Sequence, residues 1–368
     1  MEFDTVPAGV EAYCCSSEEA STYYKRFCNS KYLLVNASSF YKTRNMDRIK
    51  TLVRGTEKRI IVDSGGFQIM SRDLSMSART TFEIQRQIGD IGLILDVPPL
   101  LRENITSKAT TSLVPTNSQR FFEECLKKTK QNVLQTIDMD RKDMKYYMII
   151  QGTTFNQAKQ WSNEISRITN FDGISIKATS VQQMFTHIMA ARNLGYDRLH
   201  ILGVSGRNWA PIMLSIIKSL TSFKTVTFDS TVALIASTRK NYFIPGMLGV
   251  FSSGVHLGSI ENIAEMCKCK ICKEFQKSDL LEKGTLASTA LHIHNINFLD
   301  TIIKQWKNLD LNIINSTLPY LGFSNIWKMI DYVLKNPEHS ENVFGRFKNE
   351  FVQLKGEEKQ ISVLHFVS

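Results

Sequence analysis

The sequence predicts an α/β protein whose main body is a (β/α)8 TIM barrel, with a small cysteine-rich subdomain and C-terminal helices. Two patterns predict this fold: short apolar, β-branched runs alternate with longer helical segments, and the runs end in polar residues or glycine turns. Such alternation is typical of βα units around a parallel sheet. An open, doubly wound sheet is the structural alternative. The runs expected to form strands are residues 32–38, 58–66, 91–99, 146–152, 173–179, 198–206 and 225–231.

Segments with helical periodicity lie between these runs and after them. In the segment 209–221, for example, Ile212, Ile216 and Ile217 fall on one helical face. The other helices are expected at residues 117–135, 156–168, 180–194, 298–308 and 323–335.

The composition of the chain changes after residue 255, where it becomes rich in Cys and Lys, and segments with helical periodicity follow. We therefore expect three parts: a barrel carrying the catalytic rim over residues 1–255, a zinc-binding subdomain over 256–310, and helices packed on the barrel over 311–368.

Composition narrows the class of protein. With 43% hydrophobic and 22% charged residues among 368, the chain is expected to fold, which excludes disordered and collagen-like proteins. Its apolar runs are shorter than the roughly 18 residues of a membrane span, and the N-terminus lacks the pattern of a signal peptide. We expect a soluble, cytoplasmic protein without a membrane partner. The formal net charge of +10 suits a polyanion such as nucleic acid without requiring one.

The seven cysteines, an odd number in a long chain without a secretion signal, do not suggest a disulfide framework, and three of them lie within six residues. Cys267, Cys269 and Cys272, followed by a histidine, offer three thiolates and one imidazole, the usual ligands of a closed tetrahedral Zn²⁺ site. We choose His294 as the fourth ligand over His292, although periodicity does not decide between them. The metal is expected to be structural, and unrelated buried thiols are the alternative.

Polar residues close several of the predicted strands. In a (β/α)8 barrel the C-terminal strand ends share one rim, where functional groups collect. The alternative is that strands simply stop at polar residues. These residues are Asp63, Asp96, Gln151, Lys177, Ser205 and Asp229.

Two of these strand ends carry an acid suited to chemistry. The segment DSGGFQ at 63–68 joins Asp63 to two glycines that permit close backbone approach, and Asp229 closes the run TVTFDST. Two carboxylates on one rim permit a nucleophile and a general acid/base at a sugar anomeric carbon. Each could instead cap a helix, Asp96 could be a turn residue, and Gln151 could bond only backbone.

The order of motifs resembles the tRNA-guanine transglycosylases, over roughly residues 58 to 300. The family is a zinc-containing (β/α)8 barrel that exchanges a guanine base for a 7-deazaguanine without cutting the polynucleotide backbone. The motifs are DSGGFQIM, GDIGLILDVPP, MIIQG, FDGISIKATS, LGVSG, FDSTVALIASTRKNYF and the cysteine cluster followed by HN.

The resemblance implies an enzyme, a pentosyltransferase, with roles for individual residues. Asp229 would be the nucleophile at C1′ and Asp63 the general acid/base, giving net retention without a redox or nucleotide cofactor. Phe67 would stack on the base, Asp96 and Gln151 would bond its Watson–Crick side, and Leu202 would cover its other face. The target base would have to leave its stack to reach the pocket.

Departures from the family pattern favour a DNA substrate. Lys177, Ala178 and Thr179 stand where the family has Gly-Gly-Leu near the 7-substituent, so Lys177 is expected to touch the base. The residues after Asp229 differ from the compact tRNA-enzyme motif, and no appended RNA-binding domain is apparent. The chain looks more like the DpdA-type DNA 7-deazaguanine transglycosylases of bacteria and phages, which would act in the host cytoplasm if phage-encoded, with possible accessory DNA-opening proteins.

Three other functions are considered. A tRNA-guanine transglycosylase shares the chemistry, and a catalytically inactive, zinc-containing nucleic-acid-binding barrel would also explain the charge. A carbohydrate-acting barrel is disfavoured because few Trp residues fall in the presumed rim loops. Arg239 and Lys240 are candidate phosphate ligands, with a solvated loop as the alternative.

Overall fold

A computed structural model describes the backbone of residues 1–14, 17–41, 46–72, 75–104, 111–115, 118–177, 181–203, 209–221, 223–244, 254–308, 326–342 and 346. Its centre is a sheet of eight parallel strands in the order β1-β10-β9-β8-β7-β4-β3-β2. These strands are β1 (Glu2–Pro7), β2 (Tyr32–Asn36), β3 (Arg59–Asp63), β4 (Ile91–Leu93), β7 (Lys145–Ile150), β8 (Gly173–Lys177), β9 (Arg198–Leu202) and β10 (Thr225–Ser230).

The two edge strands of this sheet, β1 and β2, meet in a parallel bridge between Ala8 and Leu34, so the sheet nearly closes. The predicted α/β barrel is therefore confirmed, and an open doubly wound sheet does not fit this bridge. The strand interiors are apolar: Ile60, Ile61 and Val62 in the middle of β3 are fully buried.

The first strand is a structural finding, because no strand is predicted before residue 32. Glu2–Pro7 pairs with β10 along its whole length, with Val6 opposite Asp229. It carries buried polar residues, Asp4 and Thr5, which weaken its hydrophobic signal. The Asp4 carboxylate accepts hydrogen bonds from the Ser30 hydroxyl at 2.5 Å and the Lys31 backbone N–H at 3.0 Å.

Helices follow the strands, as the predicted alternation requires. Ser118 and Thr154 cap two of them, each accepting a hydrogen bond from a backbone N–H of the first turn, at 3.3 and 3.2 Å. Helices up to the end of the barrel are α1 (Val10–Cys14), α2 (Glu18–Phe27), α3 (Met46–Arg54), α4 (Gly66–Arg72), α5 (Ala78–Ile88), α6 (Gln119–Leu134), α7 (Phe155–Ser166), α8 (Val181–Ala191), α9 (Trp209–Leu220) and α10 (Val232–Thr238).

Two antiparallel hairpins are added to this pattern. The strands β5 (Leu100–Asn104) and β6 (Thr111–Pro115) follow β4, where the sequence predicts no strand pair. The strands β11 (Asn241–Tyr242) and β12 (Val255–His256) precede the cysteine-rich segment.

The C-terminal part consists of helices: α11 (Ile263–Met266), α12 (Lys270–Glu274), α13 (Lys277–Leu281), α14 (Thr285–Asn308) and α15 (Ile326–Lys335). Helix α14 is longer than the predicted 298–308 and packs against β1, α2, α9 and α10, so it belongs to the wall of the barrel. Helix α15 packs on α9. The division into three domains stays a prediction. None of the described helices combines the length and hydrophobicity needed to cross a membrane.

Candidate active site and metal centre

The C-terminal strand ends meet at one rim of the barrel, as the topology of parallel strands requires. Asp63 closes β3 opposite Asn36 of β2, Asp229 lies near the end of β10 opposite Val6, and Lys177 closes β8 opposite Leu202. Gln151 follows β7 directly. The remaining predicted rim residues, Ser205, Ala178 and Thr179, lie outside the described residues.

Asp229 is buried and held by one backbone donor. The N–H of Gly203 donates to Oδ1 of Asp229 at 3.0 Å, and Gly203 has φ +72°, a conformation that favours glycine. Burial raises the pKa of Asp229 to about 7, and the negative charge of Asp63 adds to this rise. Asp229 is thus poised between its charged and neutral forms near neutral pH.

A histidine that the sequence analysis did not assign lies beside Asp229. Nε2 of His200 is 3.6 Å from Oδ1 of Asp229, and Nδ1 is 2.9 Å from Oγ1 of Thr227. Burial lowers the pKa of His200 to about 3, so the ring is neutral. The available signal was a polar residue two positions before Leu202, on the same face of β9.

Asp63 is partly exposed and is oriented by its neighbour strand. Nδ2 of Asn36 donates to Oδ2 of Asp63 at 2.9 Å. Burial raises the pKa of Asp63 to about 6, against the lowering effect of backbone hydrogen bonds at Gly65 and Ser64 and of the Lys177 charge. A carboxyl group with this pKa can donate and accept a proton near neutral pH, as a general acid/base must.

Behind Asp63 lies Glu11 of α1, a second residue that the sequence analysis missed. Its Oε1 accepts hydrogen bonds from the Asn36 backbone N–H at 3.3 Å and the Ser39 hydroxyl at 3.1 Å. Burial raises its pKa to about 7. No sequence signal identifies Glu11, because its partners are distant in the chain: Asn36 ends β2 and Ser39 follows it.

Asp96 and Gln151 form one polar pair at the rim. Both are buried, and Nε2 of Gln151 donates to Oδ2 of Asp96 at 2.7 Å. Burial raises the pKa of Asp96 to about 6. The turn after Gln151 is fixed from behind by the buried His187 of α8, whose Nε2 donates to the Gly152 carbonyl at 2.9 Å.

The two glycines of the motif DSGGFQ are each required for a different structural reason. Gly65 has φ +77°, and a Cβ there would lie 2.7 Å from Oδ1 of Asn36. A Cβ on Gly66 would lie 2.7 Å from the Asp96 carbonyl oxygen and 3.0 Å from its Oδ1. The glycines therefore let the turn carrying Phe67 close onto Asp96.

Phe67 and Lys177 lie against each other at this rim. Phe67 lies in the first turn of α4 with 42% of its surface exposed, which is unusual for a large aromatic side chain in a barrel. The Lys177 ammonium lies 4.5 Å from the centre of the Phe67 ring, within cation–π range. Burial lowers the pKa of Lys177, and the charges of Asp96 and Asp63 oppose that effect. Leu202, half-buried, closes β9 next to Lys177.

The four predicted metal ligands lie together. The ligand atoms of Cys267, Cys269, Cys272 and His294 all lie within 4.8 Å of one another. Sγ of Cys269 is 3.6 Å from Sγ of Cys272, and both sulfurs are 3.4 Å from Nδ1 of His294. Tetrahedral Zn–S bonds of about 2.3 Å place sulfurs about 3.8 Å apart, so the spacing fits a single ion.

The surroundings of this cluster select one nitrogen of His294 as the ligand. Its Nε2 donates to the Phe243 carbonyl at 3.1 Å, which leaves Nδ1 facing the sulfurs. Tyr242 stacks on the His294 ring with 3.8 Å between centroids and hydrogen-bonds Sγ of Cys272 at 2.8 Å. His292, the alternative ligand, bonds the Tyr24 hydroxyl at 2.7 Å instead. The cluster could hold a metal such as zinc.

The two candidate phosphate ligands differ in their surroundings. Arg239 is exposed at the end of α10. The ammonium of Lys240 donates to the carbonyls of Leu280 and Glu282 at 3.1 and 2.8 Å, so it ties β11 to the end of α13. A phosphate role for either residue stays a prediction.

Comparisons with known proteins agree with this geometry. A profile of the family described as queuine tRNA-ribosyltransferase matches residues 23–200. A tRNA-guanine(15) transglycosylase of Haloferax volcanii is 25% identical over 285 residues, covering 71% of this chain and 49% of the relative. The chain thus spans about half the length of this curated relative.

Among solved structures, N-acetylneuraminate lyase from Mycoplasma synoviae matches with a TM-score of 0.35 and 11% identity, covering 61% of this chain and 68% of that one. A likeness of this size carries no argument. The family profile covers the segment that contains Asp63, Asp96, Gln151 and Lys177, and the motif order continues beyond it to Asp229 and the cysteine cluster. These two matches support a protein of the tRNA-guanine transglycosylase family.

Proposed function

We propose that the protein is a base-exchange transglycosylase that replaces guanine in DNA with a 7-deazaguanine derivative such as 7-cyano-7-deazaguanine. The observation that carries this proposal is the placement of Asp229 and Asp63 on one rim, beside Phe67, Asp96 and Gln151, which we take as the proposed base pocket. The negative charge of Asp63 contributes to the raised pKa of Asp229, so the two carboxyl groups interact across the rim.

In the first half of the proposed reaction, a carboxylate oxygen of Asp229 attacks C1′ of the target nucleotide. The C1′–O bond forms as the C1′–N9 bond breaks, and Asp63 gives its proton to the departing guanine. The N–H of Gly203 binds Oδ1 of Asp229, which supports the other oxygen, Oδ2, as the attacking atom.

In the second half, the carboxylate of Asp63 takes a proton from the incoming base. The nitrogen of this base attacks C1′ and releases Asp229. Two inversions at C1′ give net retention, and the sugar–phosphate backbone is never cut. The reaction consumes no cofactor. One glycosidic bond is broken and one is formed, and the proton that Asp63 gives to guanine is replaced by one from the incoming base.

The pocket residues suit guanine recognition. An Asp96 carboxylate can accept the N1–H and 2-amino hydrogens of guanine, and the amide of Gln151 can donate to O6. Gln151 already donates to Asp96 at 2.7 Å, so both groups are oriented before a base arrives. The exposed ring of Phe67 offers one stacking surface, and Leu202 would cover the opposite face.

One feature supports DNA over tRNA as the polymer, and a second supports a nucleic acid of either kind. The residues after Asp229 fold directly into α10 and lack the compact motif of the tRNA enzymes. The net charge of +10 supplies attraction for phosphates. Such a reaction would take place in the cytoplasm and would need the target base to leave its stack.

A tRNA substrate is the second candidate, because the curated relative from Haloferax volcanii is named as a tRNA-guanine transglycosylase. Base exchange on matched polymers separates the two. Labelled 7-cyano-7-deazaguanine is offered with duplex DNA, single-stranded DNA and tRNA, using the wild type and Asp229→Ala. Label in DNA alone, lost in Asp229→Ala, supports the proposal.

Label in tRNA alone would establish the second candidate. Label in single-stranded but not duplex DNA would point to a partner protein that opens the duplex. A denaturing gel of the reaction adds an independent readout, since a covalent protein–polymer adduct should form with the wild type and be absent with Asp229→Ala.

We also propose that Cys267, Cys269, Cys272 and His294 hold a structural Zn²⁺. Three sulfurs and one imidazole nitrogen complete a tetrahedral ion and leave no open position for substrate. The ion would cross-link α12 and α14, because Cys272 lies on α12 and His294 lies on α14.

A further inference from the structure

We propose that Lys177 selects the incoming base, favouring 7-deazaguanines whose 7-substituent is a hydrogen-bond acceptor or an anion over those whose substituent is a cation. The inference rests on the proposed base exchange and adds the class of base that this pocket takes. Its basis is the position of the Lys177 ammonium, 4.5 Å from the centre of the exposed Phe67 ring.

The ammonium of Lys177 has donors to spare. Lys177 closes β8, and its charge lowers the pKa of Asp63 at the end of β3 and of Asp96 after β4. The ammonium itself forms no hydrogen bond or direct ion pair with any residue that the structure describes. Lys240, by comparison, spends its donors on two backbone carbonyls. The N–H groups of Lys177 are therefore open to a ligand in the pocket.

The Lys177 ammonium covers a face of the Phe67 ring on which a base could stack. A base that stacks on the ring face covered by Lys177 must displace the ammonium, and the side chain then holds its charge at an edge of the base. Because β8 fixes the Cα of Lys177, the ammonium stays within the rim and cannot leave for bulk solvent without losing its attraction to Asp63 and Asp96.

The chemistry of the base determines which edge the ammonium meets. Asp96 is an acceptor and takes the donor edge, with N1–H and the 2-amino group. The remaining edge carries O6, and in ordinary guanine it also carries the acceptor N7. A 7-deazaguanine has carbon in place of N7 and so lacks this acceptor. Whether the edge still offers an acceptor to Lys177 depends on the 7-substituent.

Three substituents make the contrast clear. A nitrile presents a neutral acceptor and a carboxylate presents an anion, and both can accept a hydrogen bond from an ammonium. An aminomethyl group is a cation with donors only, so it would place two positive charges together in a partly buried pocket. Asp63 and Asp96 alone would favour a cationic substituent. The positive charge of Lys177 opposes them and reverses this preference.

The test compares three free bases, 7-cyano-, 7-carboxy- and 7-aminomethyl-7-deazaguanine, with the wild type, Lys177→Met and Lys177→Gln. Both variants keep the approximate length of the side chain without its charge, and Lys177→Gln retains a donor. Lys224→Met is the matched control, because Lys224 is exposed before β10 at the opposite end of the barrel. Melting temperatures of the variants are measured first.

Both kcat/KM for exchange and calorimetric affinity for the free base are measured. We expect the wild type to prefer the cyano and carboxy bases over the aminomethyl base by about tenfold or more. Lys177→Met should lower the value for the carboxy base about tenfold and raise it for the aminomethyl base, while Lys224→Met changes neither. Lys177→Gln should keep more of the cyano preference than Lys177→Met.

Two results would overturn the inference: an aminomethyl base preferred by the wild type, or a Lys177→Met variant in which all three bases are affected equally. Failure of the proposed function is separable. Exchange of labelled guanine itself needs no 7-substituent, so its absence on both DNA and tRNA would refute base exchange, while the calorimetric comparison would still decide the role of Lys177.

Discussion

Nε2 of the neutral, buried His200 lies 3.6 Å from Oδ1 of Asp229, and the opposite ring nitrogen is held by Thr227 at 2.9 Å. The same oxygen, Oδ1, accepts the Gly203 N–H at 3.0 Å. The Gly203 N–H thus holds one carboxylate oxygen on β10 and the His200 ring lies beside it, which supports the other oxygen, Oδ2, as the attacking atom.

We expect His200→Phe to lower kcat for base exchange about tenfold while leaving KM for the incoming base unchanged, because the ring would no longer orient Asp229. Steady-state kinetics with saturating polymer give both values. The exposed His256 provides the control variant, His256→Phe. An unchanged kcat in His200→Phe would show that Gly203 alone orients the nucleophile.

The pH dependence of exchange should be a narrow bell between about pH 6 and about pH 7. The nucleophile acts as a carboxylate, so the rate rises as Asp229 loses its proton near pH 7. The acid must be protonated, so the rate falls as Asp63 loses its proton near pH 6. Because the acid has the lower pKa, only a minor fraction of the free enzyme holds the productive protons.

The measurement is kcat/KM from pH 5 to pH 9, since this ratio reports the free enzyme. A profile that stays flat across that range would contradict these protonation states. The exposed Asp197, changed to Asn, provides a control whose profile should match the wild type.

We expect Asp229→Asn to stabilise the fold at pH 8 and to have little effect at pH 4. The folded pKa of Asp229 is raised from 3.8 to about 7, so the folded chain binds more protons than the unfolded chain between these values. Its contribution to stability is therefore greatest below pH 3.8 and falls as the pH rises to about 7. The gain should be on the order of 2 kcal/mol at pH 8, about half the full shift at about 1.4 kcal/mol per unit.

Urea unfolding of the wild type and Asp229→Asn at pH 4, 6 and 8 measures this gain. The exposed Asp197→Asn should show no such trend. Equal stability of wild type and Asp229→Asn at pH 8 would mean that Asp229 is not penalised by burial.

Gly66→Ala should raise KM for the incoming base about tenfold with a smaller effect on folding. The added methyl group would lie 2.7 Å from the Asp96 carbonyl oxygen, so the turn carrying Phe67 must move away from the Asp96–Gln151 pair. Gly195→Asn is a suitable control, because nothing lies within 4 Å of its Cβ position and asparagine tolerates its φ of +78°. A normal KM in Gly66→Ala would show that the pocket adapts.

The sequence predicts the parts of this molecule whose signal is local. Alternating apolar runs identify seven of the eight barrel strands, and polar residues at their ends identify Asp63 and Asp229 as rim residues. The spacing of Cys267, Cys269 and Cys272 suffices to predict a cluster. The family match over residues 23–200 agrees with the order of the motifs in that segment.

The parts missed depend on contacts between distant segments. The strand Glu2–Pro7 is stabilised by pairing with β10, more than 200 residues later, and carries the polar Asp4 in its interior. The first half of α14 has buried residues on all sides, so it shows no amphipathic period. Glu11 becomes part of the rim only when β1 and β2 meet.

Loss of one ligand of the metal cluster should destabilise residues 255–285 more than the barrel strands. Cys269→Ser takes away a sulfur that lies 3.6 Å from Cys272 and 3.4 Å from His294, so bound zinc per chain should fall from about one to near zero. Because α12 and β11 approach α14 through this cluster, protease cleavage should increase in residues 255–285 before the barrel strands are affected. Cys125→Ser is the control, since Cys125 is buried on α6 away from the cluster. Metal analysis and limited proteolysis measure both effects, and zinc retained in Cys269→Ser would contradict the ligand set.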